Sequence, residues 1–222
     1  MREILIATSN LGKLRDFAAA ATNFQVSVAA VPGMASIPPA REDAPSFEAN
    51  ACKKAEHYSR LAKGRYVLAD DSGLEVDALN GAPGVLSARY ARERTATPGN
   101  STDAENNARL LANLQDVPEE RRTAKFVCCI AVGRDGRTVI CFRGEVKGIM
   151  LREPRGTNGF GYDPLFYVRE RSCTFAELSV LEKAEISHRG LAFRKFLKWF
   201  AALPEETLTG MNSQAKLAPD AA

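Results

Sequence analysis

The sequence predicts a mixed α/β fold: a twisted sheet with helices on its faces, forming two lobes around a cleft. Three observations carry this. Short apolar runs alternate with amphipathic helical patterns in the first part of the chain. Two later apolar runs, Phe126–Val132 and Thr138–Phe142, flank Arg134-Asp135-Gly136, an antiparallel hairpin signal. No internal repeat or linker divides the 222 residues, so one domain over residues 1–203 is expected. The polar, small-residue stretch 204–222 is read as a disordered tail.

The elements follow in order. Residues 3–8 read as a strand broken by Thr8-Ser9-Asn10, and Leu14, Phe17, Ala18 and Ala21 share one helical face. Val26–Val31 reads as a second strand, closed by Pro32-Gly33. A loop with Pro38, Pro39, Glu42, Asp43 and Pro45 leads to a helix carrying Phe47, Ala51, Ala55, Tyr58 and Ala62, with Gly64 as its C′ residue. Arg65–Ala69 is a compact strand that ends in Asp70-Asp71-Ser72-Gly73. Thr102 and Glu105 form a capping box ahead of Leu110, Leu111 and Leu114. A glycine-rich loop runs from Arg155 to Asp163, Ser179 and Glu182 form a second capping box, and Phe193, Phe196, Leu197 and Phe200 mark a final helix.

Composition narrows the class. A chain that is 45% hydrophobic and 26% charged suits a soluble protein with a sizeable core. Its net charge of +3 points neither to a nucleic-acid binder nor to an acidic protein. Five cysteines, an odd number, read as free thiols in a reducing cytoplasm. The longest apolar run is far too short to span a bilayer, and Met1–Thr8 has too short an apolar stretch for a signal peptide. No membrane partner is expected.

Four clusters offer chemistry. Thr8-Ser9-Asn10-Leu11-Gly12-Lys13 lies between strand and helix, where unpaired N–H groups and a partial positive charge suit a phosphate. The same residues also suit an ordinary N-cap with a solvated lysine. Asp70 and Asp71, adjacent acids after an apolar strand, are costly to pack unless they bind a cation or are well hydrogen-bonded. Their hard oxygens suit Mg²⁺, and one carboxylate would accept a proton from an attacking water; an Asx-type turn is the plainer reading. Glu42 is placed to join them. In the loop Gly156–Pro164, glycines permit close backbone approach, Phe160 and Tyr162 offer flat faces for a base, and Asp163 offers an acceptor. Lys183, His188 and Arg189 supply donors for a base edge or a phosphate, although a lone His–Arg pair is more often a surface feature.

Taken together and in order, these segments resemble the inosine triphosphate pyrophosphatase family of non-canonical purine nucleoside triphosphate pyrophosphatases. The likeness rests on Ala7–Lys13, Leu68–Leu74, Gly81–Gly84 with Ser87–Tyr90, Gly156–Phe166, and Glu177–Ser179 with Lys183 and Ile186–Gly190, and covers about residues 1–203. The resemblance implies two lobes around a nucleotide-binding cleft, a cytoplasmic homodimer, and Mg²⁺-dependent hydrolysis of ITP, dITP and XTP to the monophosphate and pyrophosphate. By position it implies Asp71 as general base and metal ligand, Glu42 as the other metal carboxylate, and Asp70 in support. It implies substrate contacts from Thr8, Ser9, Asn10, Leu11, Gly12, Lys13 and Ser72, and a base pocket of Phe160, Gly161, Tyr162, Asp163, Lys183, His188 and Arg189.

One departure is visible. Many relatives carry two acids before Asn-Ala at the start of the second helix, whereas here Glu48 is followed by Ala49. Ser46 therefore lacks an acidic N3 partner, a local cost of about 1 kcal/mol if nothing else caps the helix. Two rival readings stand beside the family one. The first is a pyrophosphatase of related fold acting on modified pyrimidine or methylated nucleotides; the second is a non-catalytic nucleotide sensor or RNA-binding module.

Overall fold

The computed structural model describes residues 2–92 and 99–204. The chain opens with β1 (Arg2–Ile6), α1 (Leu11–Ala20) and β2 (Val26–Ala30), followed by α2 (Phe47–Ser59) and the long strand β3 (Val67–Val76). A 3-10 segment over Gly84–Arg92 precedes α3 (Asp103–Asn113). The hairpin β4 (Thr123–Arg134) and β5 (Arg137–Met150) is followed by short strands β6 (Phe166–Val168) and β7 (Cys173–Thr174), then α4 (Val180–Ile186) and α5 (His188–Ala201). The strands form one sheet in the order β2-β1-β3-β4-β5-β6-β7. β1 is parallel to both β2 and β3, and every later pairing is antiparallel.

Side-chain alternation along the strands buries both faces of the sheet. Ile4, Ile6, Leu68 and Ile130 pack on one face against Phe17 of α1 and Phe193 and Phe196 of α5. Leu5, Val67, Ala69, Val127 and Ala131 pack on the other against Phe47, Ala51, Ala55 and Tyr58 of α2. A separate apolar cluster joins Leu74 and Val76 to Phe126, Phe166 and Phe175, with Leu110 of α3 and Leu114 at its C-cap. β3 runs from the first two clusters into the third, and Asp70–Gly73 occupy the waist between them.

The expected elements are present, with instructive differences. The strand predicted to end at Ala69 continues through both acids to Val76, because β4 pairs with it residue by residue, Asp70 opposite Ile130 and Asp71 opposite Cys129. Pairing and packing here override the poor strand propensity of aspartate. β1, in contrast, stops pairing at Ile6 opposite Leu68, so the acids lie just past the end of their parallel neighbour, where ligand sites gather in such sheets. Gly64 does not close α2: the helix stops at Ser59, and Gly64, with φ +72°, belongs to the turn beyond. Ser46 caps α2 on its own, accepting the Ala49 N–H at 3.2 Å. Both predicted capping boxes form. The hairpin turn has Asp135 and Gly136 at φ 51° and 80°, as a type I′ turn requires. The predicted tail, beyond Pro204, lies outside the described residues.

Helix α5 packs closely on β5 at Gly144. A Cβ there would sit 2.2 Å from the His188 carbonyl oxygen and 2.6 Å from the Ala192 nitrogen, both backbone atoms that cannot swing aside. Gly144→Ala is expected to cost about 1–3 kcal/mol of stability, seen as a lowered urea midpoint at unchanged slope. An unchanged midpoint would show that α5 relocates freely.

Candidate active site

A cavity of ≈ 1030 Å³ opens at the waist, bounded by the α1 N-terminus, the Pro39–Asp43 loop, β3, the 3-10 segment, the loop Gly99–Asp103, Phe160–Asp163 and the α4–α5 junction. At the start of α1, Asn10 Oδ1 accepts the Lys13 N–H at 3.0 Å and Thr8 Oγ1 accepts the Asn10 N–H at 3.1 Å. The helix thus presents its N-terminus to the cavity. Thr8, Ser9, Asn10 and Lys13 line it, but Leu11 and Gly12 do not. The Leu11 side chain is 72% exposed. At Gly12 a Cβ would meet the Phe160 ring at 2.7 Å, so the missing side chain is what lets that ring lie against α1.

Strand alternation sends the two acids to opposite faces. Asp70 faces α1 and α5: its Oδ2 lies 2.9 Å from Lys13 Nζ and 3.7 Å from Arg189, and it accepts from Ser72 Oγ at 3.0 Å. Burial alone would raise its pKa, but Lys13 and Arg189 prevail and hold the carboxyl well below the usual range. Asp71 faces α2, accepting from Lys54 Nζ at 2.8 Å and Asn50 Nδ2 at 3.2 Å. Its burial outweighs the neighbouring ammonium, and its pKa is raised. Lys54 Nζ also lies 3.1 Å from Glu42 Oε2. Burial opposes the charge on Lys54, yet Asp71 and Glu42 together raise its pKa, so it stays an ammonium.

On the far side of the waist, Asp163 accepts from the Phe160 N–H at 2.9 Å and from Lys183 Nζ at 2.6 Å. Arg189 donates to Asp16 at 2.6 Å and to Ser72 Oγ at 2.9 Å, which leaves its buried Nε unpartnered. Lys183 and Arg189 stand 4.9 and 5.5 Å from the Phe160 ring centroid, within cation–π range. His188 stacks on Phe126 at 4.7 Å with its Nδ1 unpartnered. Burial, reinforced by the charges of Arg189 and Lys183, drives its pKa well below the ordinary value. Tyr162 lines the cavity but is buried, and its hydroxyl donates to the Ser87 carbonyl at 2.8 Å. Phe160, half-buried at the cavity wall, is more exposed than Tyr162.

Three residues important to this geometry were missed in the sequence. Asn50 and Lys54 lie on the buried face of α2 among Phe47, Ala51 and Tyr58, and polar residues at i, i+4 spacing on an apolar stripe were the available signal. Asp16, three residues after Lys13, is buried on α1, where it accepts from Arg189 and lies 3.6 Å from Lys183.

The sequence profile of the Ham1 family matches residues 4–199. The chain belongs to the Ham1 family. A Geobacter sulfurreducens protein named dITP/XTP pyrophosphatase is 46% identical over 192 residues, 86% of this chain and 93% of its own length. One of the same name from Geobacillus kaustophilus is 48% identical over 195 residues, 88% of this chain and 92% of its own. Among solved structures, a Ham1 protein from Coxiella burnetii superimposes with TM-score 0.77 at 37% identity, covering 91% of this chain and all of the other. The nucleoside-triphosphatase / dITP/XTP pyrophosphatase from Mycobacterium abscessus gives 0.64 at 38% identity, over 90% and 100%.

The residues of this Ham1 chain fit a hard divalent cation. Glu42 and Asp71 already accommodate positive charge, since the Lys54 ammonium bridges them, and the buried Asp70 Oδ1 has no hydrogen-bond partner. Among the described residues no three His, Cys, Asp or Glu side chains form a ready-made metal cluster. Mg²⁺ typically needs only one or two carboxylates together with substrate phosphates. Among the described residues no helix is long and apolar enough to cross a membrane.

The buried imidazole makes a pH test possible. The folded state keeps His188 neutral while the unfolded chain protonates it near 6.5, so protons favour unfolding. Its contribution is complete above about pH 6.5 and declines below it, with a slope of up to about 1.4 kcal/mol per pH unit. Asp70, held low, adds its own loss only below about 3.8. His188→Phe, which preserves the stacking, is expected to flatten the stability profile between about pH 6.5 and 5. Equal slopes in variant and parent, measured by urea unfolding, would disprove the neutral-histidine assignment.

Proposed function

We propose that this Ham1-family chain hydrolyses the non-canonical purine nucleoside triphosphates ITP, dITP and XTP to the nucleoside monophosphate and pyrophosphate. The observation that carries the reading is the buried Asp71 carboxylate, held by Lys54 and Asn50 at the wall of a ≈ 1030 Å³ cavity that the α1 N-terminus, Lys13 and Phe160 also line. The relatives from Geobacter and Geobacillus are named dITP/XTP pyrophosphatases, which supports dITP and XTP among these substrates.

In this reading the phosphate chain lies along the α1 N-terminus with Lys13 and Lys54, and the base lies against Phe160, facing Lys183, His188 and Arg189. Glu42 and Asp71, with Asp70 in support, would hold Mg²⁺, which supplies neutralisation of phosphate charge. Asp71, its proton affinity raised by burial, accepts the proton of the water that attacks the α-phosphorus, and pyrophosphate leaves. Lys13 and Lys54 counter the charge that develops on the departing phosphates. Hypoxanthine and xanthine carry a carbonyl at C6, a match for the donors of Lys183 and Arg189; adenine sets an amino group against them. An unpaired buried polar group costs about 1–3 kcal/mol, roughly ten- to hundredfold discrimination per contact. Guanine shares the carbonyl, so its exclusion falls to the 2-amino side. The same reading takes the working unit as a cytoplasmic homodimer without nucleic-acid or membrane partners, in keeping with the net charge of +3.

The test is pyrophosphate release from ITP, dITP, XTP, GTP, ATP, dUTP and dTTP, with and without Mg²⁺. ITP, dITP and XTP are expected to lead, with activity lost on chelation. Rapid turnover of dUTP or dTTP without ITP would transfer the protein to the pyrimidine reading. Asp71→Asn is expected to bind ITP while its turnover falls by about two to four orders of magnitude; near-normal turnover would remove Asp71 as the base.

A further inference from the structure

Phe160 is bounded on one side by α1, whose Gly12 leaves room for the ring. Asp163 accepts the Phe160 N–H at 2.9 Å, and a further constraint comes through the next residue. Gly161 has a left-handed backbone, φ +64°, and no side chain to pack. Both of its polar groups are nevertheless engaged by one helix. Asp103 Oδ2 accepts the Gly161 N–H at 2.7 Å, and Asn107 Nδ2 donates to the Gly161 carbonyl at 3.0 Å. The two side chains are i and i+4 on α3, hence on one face of it. The first bond is charge-assisted and correspondingly strong.

α3 is itself well anchored. Thr102 and Glu105 cap it reciprocally, and Leu110 is fully buried in the neighbouring cluster. Asn106 Oδ1 accepts the Ala91 N–H at 2.9 Å, and Asn113 donates to the Tyr90 hydroxyl at 2.7 Å. The grip on Gly161 therefore ties a glycine loop to an anchored helix, and the neighbouring Phe160 ring lines the cavity.

We propose that Asp103 and Asn107 are positioning residues for the base pocket: by holding Gly161 at both its N–H and its carbonyl, they set the placement of the Phe160 ring against a bound purine. This rests on the reading of the cavity as a purine nucleotide site. A ring held in place before binding spares the nucleotide the entropy of ordering the loop, so loss of the grip weakens binding rather than the chemical step.

Steady-state pyrophosphate release from ITP, together with amide hydrogen exchange, separates the possibilities. Asp103→Ala is expected to raise KM about tenfold while kcat stays within about twofold. Asp103→Asn, which keeps an oxygen acceptor for the Gly161 N–H, is expected to recover most of the loss. In a Phe160→Ala background, Asp103→Ala should add nothing further, because its effect runs through the ring. Unchanged KM in Asp103→Ala, a fall in kcat alone, or full additivity with Phe160→Ala would each overturn the proposal, the last by showing that Asp103 meets the nucleotide directly. Exchange of the Gly161 amide gives an arm independent of substrate: it should accelerate in Asp103→Ala and not in Asp103→Asn, and an unaltered rate sinks the grip. If the parent protein turns over none of ITP, dITP and XTP, the substrate reading fails, while the exchange arm still decides the grip.

Discussion

The antiparallel pairing of β3 with β4 is the constraint on which the site depends. It carries a strand through two adjacent aspartates that would otherwise end it, and holds both inside the protein, 2% and 6% exposed. Once the backbone is fixed there, alternation leaves no choice: Asp70 must face α1 and α5, and Asp71 must face α2. A buried carboxylate without a partner is costly, so each side of the sheet must supply its own cation. Lys13 and Arg189 serve Asp70, and Lys54 serves Asp71.

The same requirement extends across the cavity. Asp163 is paired with Lys183, and Asp16 with Arg189. Cations from α1, α2, α4 and α5 thus converge on carboxylates from β3, α1 and the glycine loop. Such pairs contribute little net stability, because desolvation offsets most of their attraction. Their value here is geometric. In the proposed reading each cation is held, by its paired carboxylate, where a phosphate or a base carbonyl would meet it.

The two halves of the site differ in rigidity. On the side of the proposed base pocket, Asp163, Lys183, His188 and Arg189 are all buried, with Asp163 and Lys183 paired to each other and Arg189 to Asp16. The Glu42 side is a loop whose carboxylate is 42% exposed and whose backbone carbonyl accepts from Arg89 at 3.1 Å. A pocket that selects a base benefits from preorganisation, whereas a group that meets a hydrated cation and a phosphate chain works from a more open position.

Much of this was legible in the residues alone. Apolar periodicity marked the strands and helices, the Asp135-Gly136 turn marked the hairpin, and two capping boxes marked helix starts, because these signals are local and act within a few residues. The resemblance carried by the ordered segments marked most of the residues that line the cavity. What could not be read locally was which acid faces which helix, since that follows from the register of β3 against β4, strands far apart in the chain. Nor could the partnership of Asp71 with Lys54 and Asn50, the anchoring of Arg189 by Asp16, or the hold of α3 on Gly161 be read there. The sequence by itself determined which chemical groups were present and the local elements that carry them. Only the tertiary structure decided how those groups are paired, because burial makes every charge depend on whichever distant residue is brought within a few ångströms of it.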